Sequence, residues 1–252
     1  VAVGGAITLS KNTTYYSIAS KKITITFNKN GAASQTVKGG SASTANTVTQ
    51  SCTMYNSETS CSITSPTIAG STNTPTVIGY STAASTHSSS WNQNTSKNVS
   101  SNATYYAQTK KDATTYTAKW NANGATLSST SDSSCSVAIT YNGSAQATSC
   151  TVTAPTITRS GYSIKGFNTS SSATTATVSS GGTLTLTSSN TGSTWYAITN
   201  SITSCCNSFG DAAYNSCLAN CTGSSSSCGI GCGQSAQKTF NSCKANPSLY
   251  GC

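Results

Sequence analysis

Twelve cysteines are the residues of this 252-residue chain whose type and spacing most directly suggest chemistry. Cys52 and Cys61 lie close together, as do Cys135 and Cys150. The other eight, Cys205, Cys206, Cys217, Cys221, Cys228, Cys232, Cys243 and Cys252, crowd the C-terminal stretch. Even numbers at short spacings point to disulfides formed in an oxidising compartment. Structural zinc more often has two residues between ligands, whereas the C-terminal cysteines show C-x3-C spacing and their stretch contains no histidine. We therefore expect disulfides and no metal.

The other reactive residues are sparse. His87 is the only histidine, and any serine or cysteine triad would have to use it from within the serine-rich "STAASTHSSSW". Paired carboxylates would have to come from Glu58, Asp112, Asp132 and Asp211, which are far apart in sequence. No enzyme activity and no cofactor are expected. The sequons at Asn12, Asn98, Asn102 and Asn142 are no more than a chain this rich in Ser and Thr produces by chance, so they identify no modification.

The elements that must position these residues are thin. Ser and Thr make up about a third of the chain, while Leu, Ile, Val and Phe together reach only about 13%. With 12 Tyr, abundant Thr and only 4 Pro, the composition favours thin β-structure over disorder. In a chain so poor in core residues, crosslinks supply what burial cannot. The net charge of +9 reflects a scarcity of acids. Its longest basic runs are Lys21-Lys22 and Lys110-Lys111, so no nucleic-acid partner is expected. No apolar run approaches the length that spans a bilayer, so no membrane insertion is expected either. The N-terminus lacks the regions of a signal peptide, as in a mature or trimmed chain. Secretion or cell-surface display is the expected location.

Internal repeats set the organisation. "TTYYSIAS" at 13–20 returns as "ATYYAQTK" at 103–110 and as "STWYAITN" at 193–200, so its second aromatic, Tyr16, Tyr106 and Tyr196, advances by about 90 residues each time. "ITITFNKNGA" pairs with "YTAKWNANGA", "CSITSPTI" with "CTVTAPTI", and "VIGYST" with "IKGFNT". Ile23, Ile25 and Phe27 alternate with polar residues, as do Tyr116, Ala118 and Trp120, and Leu184 with Leu186, which is the period of half-buried strands. Asn30-Gly31 and Asn123-Gly124 end strands with a dipeptide suited to turns of positive φ. The expected domains are the terminal strands of a truncated repeat at 1–20, repeat domains at 21–112 and 113–201, and a cysteine-rich helical module at 202–252.

"PTITRSGYSIKGF" at 155–167, the F/W-N-x-N-G turn and the closing aromatic-Tyr-Ala box together resemble the internalin-type B-repeat of bacterial surface proteins. The resemblance covers residues 1–200 and is clearest in the second copy. The first copy departs from it at "IAGSTNTPTVIGY", which carries an insertion. It implies small β-grasp-like domains serving as extracellular spacers or interaction modules, not catalysts. The repeat cysteines are not part of that pattern. At corresponding places in the two copies, Cys52 is expected to pair with Cys61 and Cys135 with Cys150, closing short loops that contribute roughly 2 to 3 kcal/mol each. A Lys-Asn isopeptide crosslink would need a buried carboxylate, and Glu58 has no counterpart in the second copy, so none is expected.

The fold class is therefore mainly β: tandem small β-grasp-like or sandwich-like repeats, followed by a disulfide-rich, partly helical module. In that module Phe209, Ala213, Cys217 and Cys221 fall on one helical face, and "QSAQKTFNSCKAN" suggests a second short helix.

Residues 1–20 offer Ile7, Leu9, Tyr16 and Ile18 as apolar positions without the rest of a domain, and a two-stranded ribbon alone is marginal in water. Either a longer precursor supplied the missing part or another copy of the chain completes the sheet; in the second case these four are the candidates for strand addition, a head-to-tail contact that propagates as a fibre when it does not close into a ring. The leading expectation is a structural subunit or stalk of an extracellular bacterial filament. The alternative is an adhesin whose repeats bind host glycan or protein through Tyr80, Trp91, Tyr105 and Trp195.

Overall fold

The computed structural model describes every residue except 1–3, 7, 9, 10, 13, 223 and 224, with the side chains of 225–227 also outside the description. In the first repeat the strands are β1 (Ser20–Asn28), β2 (Ser34–Thr36), β3 (Ala42–Ser43), β4 (Thr47–Tyr55), β5 (Cys61–Thr64), β6 (Thr67–Ala69), β7 (Thr76–Ser81), β8 (Ser96–Val99) and β9 (Ala103–Lys111). In the second they are β10 (Thr114–Asn121), β11 (Thr126–Leu127), β12 (Ser133–Val137), β13 (Thr140–Tyr141), β14 (Ser149–Thr153), β15 (Ile157–Thr158), β16 (Tyr162–Asn168), β17 (Thr183–Thr187) and β18 (Thr194–Ser201). Helices α1 (Ile202–Ala219) and α2 (Ser225–Ala245) follow.

The chain divides into two units, one of Val1–Ala113 with Ala138–Gln146, the other of Thr114–Val137 with Ala147–Cys252. The sequence places one boundary at 112/113 and another after 201. The structure instead assigns nine residues of the second repeat to the first unit and joins the cysteine-rich tail to the second.

In the first unit the main sheet runs β13-β9-β1-β4, with β7 on the other side of β9. β1 is antiparallel to β4 from Ser20↔Tyr55 to Asn28↔Thr47 and parallel to β9 through Ile25–Asn28. The alternation read from the sequence puts Ile23, Ile25 and Phe27 in the core. Phe27 packs against Tyr80 and Trp91, with ring centroids 4.9 and 5.3 Å away, and Trp91 meets Tyr105 edge to face. Aromatic rings thus supply the volume that scarce aliphatic residues do not.

The second unit repeats the plan with a sheet in the order β12-β10-β18-β16. Trp120, Phe167, Leu184, Leu186 and Trp195 are buried together. The Asn-Gly turns that end β1 and β10 adopt positive φ, 45° and 84° at Asn30-Gly31 and 47° and 80° at Asn123-Gly124. Each Asn also reaches inward from its turn. Asn30 Nδ2 donates to the carbonyls of Ala84 and Ala107, and Asn123 Nδ2 to those of Ser171 and Ala197.

The cysteine-rich tail is a helical hairpin stapled by cystines. Ser201 caps α1 by accepting the N–H of Ser204. Cystines join Cys205 to Cys252, Cys206 to Cys243, Cys217 to Cys232 and Cys221 to Cys228. The second helix is longer than the sequence suggests, and Cys221 falls beyond the end of α1. Within the second unit the tail meets the sheet on the β16 side, where Lys165 Nζ donates to the carbonyl of Gly251 and Ile202 N–H to that of Gly161.

The expected terminal strands at 1–20 are not observed among the described residues, where the first strand begins at Ser20. Ile7 and Leu9 lie outside the described residues. Tyr16 and Ile18 are 85% and 73% exposed. Of their counterparts, Tyr106 and Tyr196 are half-buried in β9 and β18, and Gln108 and Ile198 are buried.

Candidate assembly interface

The edge of β9 organises this site. Its first half is flanked by β1, paired through 103–106, which leaves its second half open on that side. Residues of the second repeat fill the gap as β13, with Tyr141↔Lys110 and Thr140↔Lys111 in antiparallel register.

Asn142, just beyond β13, locks the arm in place. Its N–H donates to the Thr109 carbonyl at 3.0 Å, and its Oδ1 accepts the Thr109 N–H at 3.1 Å. Its Nδ2 donates to the Ala84 carbonyl and to Gln108 Oε1. The left-handed backbone this requires, φ 53°, is one that Asn tolerates better than most residues. Gly143 follows with φ 82°. Its N–H donates to Thr74 Oγ1, while its carbonyl accepts from Asn73 Nδ2. Thr74 is in turn linked to Thr109 through their hydroxyls at 2.8 Å. Tyr141 stacks on His87, with ring centroids 3.8 Å apart and planes within 6°. The insertion that sets the first repeat apart, around 70–75, thus supplies two of the residues that hold the arm.

The same device occurs once more, at the start of the first repeat. Asn56 N–H donates to the Ala19 carbonyl at 2.9 Å, and Ala19 N–H donates to Asn56 Oδ1 at 3.2 Å. Asn56 also has positive φ, 50°. Ala19 stands three residues after Tyr16, as Thr109 stands three after Tyr106. A Tyr-Asn pair therefore projects from the loop between each repeat's paired cysteines and grips the same position of the preceding aromatic box. Sequence reasoning passed over Tyr55-Asn56 and Tyr141-Asn142, although the recurrence of Tyr-Asn between the cysteines is visible once the two loops are set side by side.

The third box, in β18, carries the equivalent edge without an arm. β10 pairs with β18 only through 194–196, and among the described residues no strand lies beside Ala197–Ser201 on that side. Thr199, the counterpart of Thr109, accepts a hydrogen bond at Oγ1 from Arg159 Nη1 at 2.9 Å. The guanidinium lies 3.7 Å from the centroid of the Tyr162 ring.

The candidate glycan-stacking rings are placed differently. Tyr80, Trp91, Tyr105 and Trp195 are all buried, at 8% exposure or less, as core aromatics. Burial pushes the Tyr80 hydroxyl pKa up, and a hydrogen bond from Gln35 Nε2 draws it partly back.

The repeat cysteines form Cys52–Cys61 and Cys135–Cys150. The sulfurs of Cys206, Cys243 and Cys252 cluster within 4.8 Å, but each already belongs to a cystine and so offers no thiolate. His87 has its ring on Tyr141, and the Glu58 carboxylate accepts the Tyr55 N–H in its own turn.

No family model, curated protein or solved structure matches the chain.

Proposed function

We propose that this protein is a structural subunit or stalk of an extracellular bacterial fibre, built from internalin-type, β-grasp-like repeats linked head to tail by strand addition. The observation that carries this reading is the assignment of Ala138–Gln146 to the first unit, where β13 extends the sheet of the preceding repeat. A repeat that lends a strand to its neighbour couples the two through backbone hydrogen bonds, which is how strand addition makes polymers.

Six cystines support an extracellular setting, where crosslinks persist and compensate for a thin core. The buried positions of Tyr80, Trp91, Tyr105 and Trp195 favour a rod over an adhesin, which would need open rings to stack on glycan.

Negative-stain imaging of native, unreduced material, with the intact mass of the denatured chain, tests the proposal. Filaments or thin rods of uniform width are expected. Compact single particles that bind a glycan array, with binding lost in Trp91→Ala, would replace the structural reading with the adhesin.

A further inference from the structure

We propose that the open edge of β18 at Ala197–Ser201 receives the Tyr55–Glu58 arm of a second copy of this chain. This rests on the fibre reading and specifies its joint.

The receptor is largely preformed. Thr199 presents its backbone at the place where Thr109 holds Asn142. Asn123 bridges the carbonyls of Ser171 and Ala197 as Asn30 bridges those of Ala84 and Ala107. In the first unit the Ala84 carbonyl accepts a second bond, from the arm's Asn142, and the Ser171 carbonyl is its equivalent. One partner differs. Gln108, which accepts from Asn142 Nδ2, is replaced by buried Ile198.

The choice of arm follows from what each arm already holds. Tyr141 and Asn142 are occupied by β9, Ala84 and Gln108. Among the described residues Asn56, by contrast, grips only Ala19, in a segment that leaves Tyr15, Tyr16 and Ile18 exposed. Residues 14–19 and 194–199 are equivalent in sequence, but in the second the strand is already folded into a sheet, with Trp195 and Ile198 buried. Exchanging Ala19 for Thr199 keeps both bonds that Asn56 makes to its partner's backbone and seats the arm on a strand already paired with β10 and β16. The exchange releases residues 14–19 of the donating copy and frays Ser20 and Lys21 from Tyr55 and Met54.

Charge selects the same pair. Arg159 is the only arginine of the chain and Glu58 the only glutamate. Arg159 stands at the position of Gly70, at the start of the loop that delivers Asn73 and Thr74 to Gly143 in the first unit. Glu58 follows two residues after Asn56, so an arm seated on Thr199 brings its carboxylate toward the guanidinium. Such a contact is heterologous, and it propagates as a fibre when its rotation does not close a ring.

Sedimentation analysis of the full-length, disulfide-intact chain over a wide concentration range tests the joint, with Arg159→Glu, Glu58→Arg, the double exchange and Glu58→Gln. The wild type is expected to associate. Each charge reversal should weaken association at least ~10-fold and the double exchange should recover it, as for a directly opposed charge pair. Glu58→Gln, which keeps the acceptor for the Tyr55 N–H, should weaken association without altering the circular dichroism. If the wild type associates and every variant does so equally, the fibre reading stands and this joint is wrong. A wild type that stays monomeric at all concentrations overturns head-to-tail assembly and the joint together.

Discussion

Gly31 lies directly against the backbone of Asn142: a Cβ on Gly31 would stand 2.0 Å from the Asn142 carbonyl oxygen. The turn that ends β1 and the arm from the following repeat therefore close on each other only because one of them has no side chain. At the equivalent Gly124 the nearest atom is Arg159 Nη2, at 3.4 Å, the far end of a flexible side chain.

Gly31→Ala should accordingly expel the arm from β9, whereas Gly124→Ala should pay only for its positive φ, on the order of 1 kcal/mol. Urea unfolding of the two variants is expected to show a clearly larger loss for Gly31→Ala. Equal losses would mean that the close approach is not structural.

Asn142→Ala removes the side-chain bonds to Thr109, Ala84 and Gln108 and places alanine at a left-handed position. At about 1 kcal/mol per net hydrogen bond plus the backbone term, destabilisation of roughly 2 to 4 kcal/mol is expected. Hydrogen exchange at the Thr109 amide is the local readout and should accelerate. Protection unchanged from wild type would show that β13 holds without its Asn.

Replacing Cys135 and Cys150 together by alanine opens a loop of 15 residues' separation and should cost about 3 kcal/mol. Reduction of all cystines should affect the tail most. Its core consists of Cys206, Cys243 and Cys252 with Ile202, Cys205, Phe209, Phe240 and Tyr250 only partly buried around them. The far-ultraviolet helical signal should collapse under reductant while the near-ultraviolet signal of the buried tryptophans persists. Simultaneous loss of both would contradict this order.

Tyr80 sets an alkaline limit for the first unit. Its hydroxyl is held well above the ordinary value of 10.0 in the folded state, chiefly by burial, so the unfolded chain releases this proton first. The resulting stabilisation is complete below pH 10 and declines as pH rises beyond it. Chemical denaturation at rising pH should show this decline, and Tyr80→Phe should flatten it. A decline as steep in Tyr80→Phe would place its origin elsewhere.

Much of the fold could be read from local pattern. Alternation identified Ile23, Ile25 and Phe27, and Tyr116, Ala118 and Trp120, as core-facing, because a strand with one wet face repeats every two residues. Asn-Gly announced the tight turns after β1 and β10, because few other dipeptides accept two consecutive residues of positive φ. The intrachain pairing of the arms was less legible: Ile7 and Leu9 lie outside the described residues, Tyr16 and Ile18 are exposed, and Asn56 and Asn142 are the residues that hold Ala19 and Thr109.

The repeat, the strand periods, the turns and the reliance on cystines are legible in the order of the residues, since each depends on residues close together in the chain. That Ala138–Gln146 belongs to the first unit, that the tail joins the second, and which of the eight tail cysteines pair emerge on folding. These outcomes depend on which backbone edges and which sulfurs come within bonding distance after folding. Thr109 and Asn142, 33 residues apart, carry no local signal of their pairing: one is a threonine among many, and the other meets it only because the first half of β9 is taken by β1 and the second half is left open.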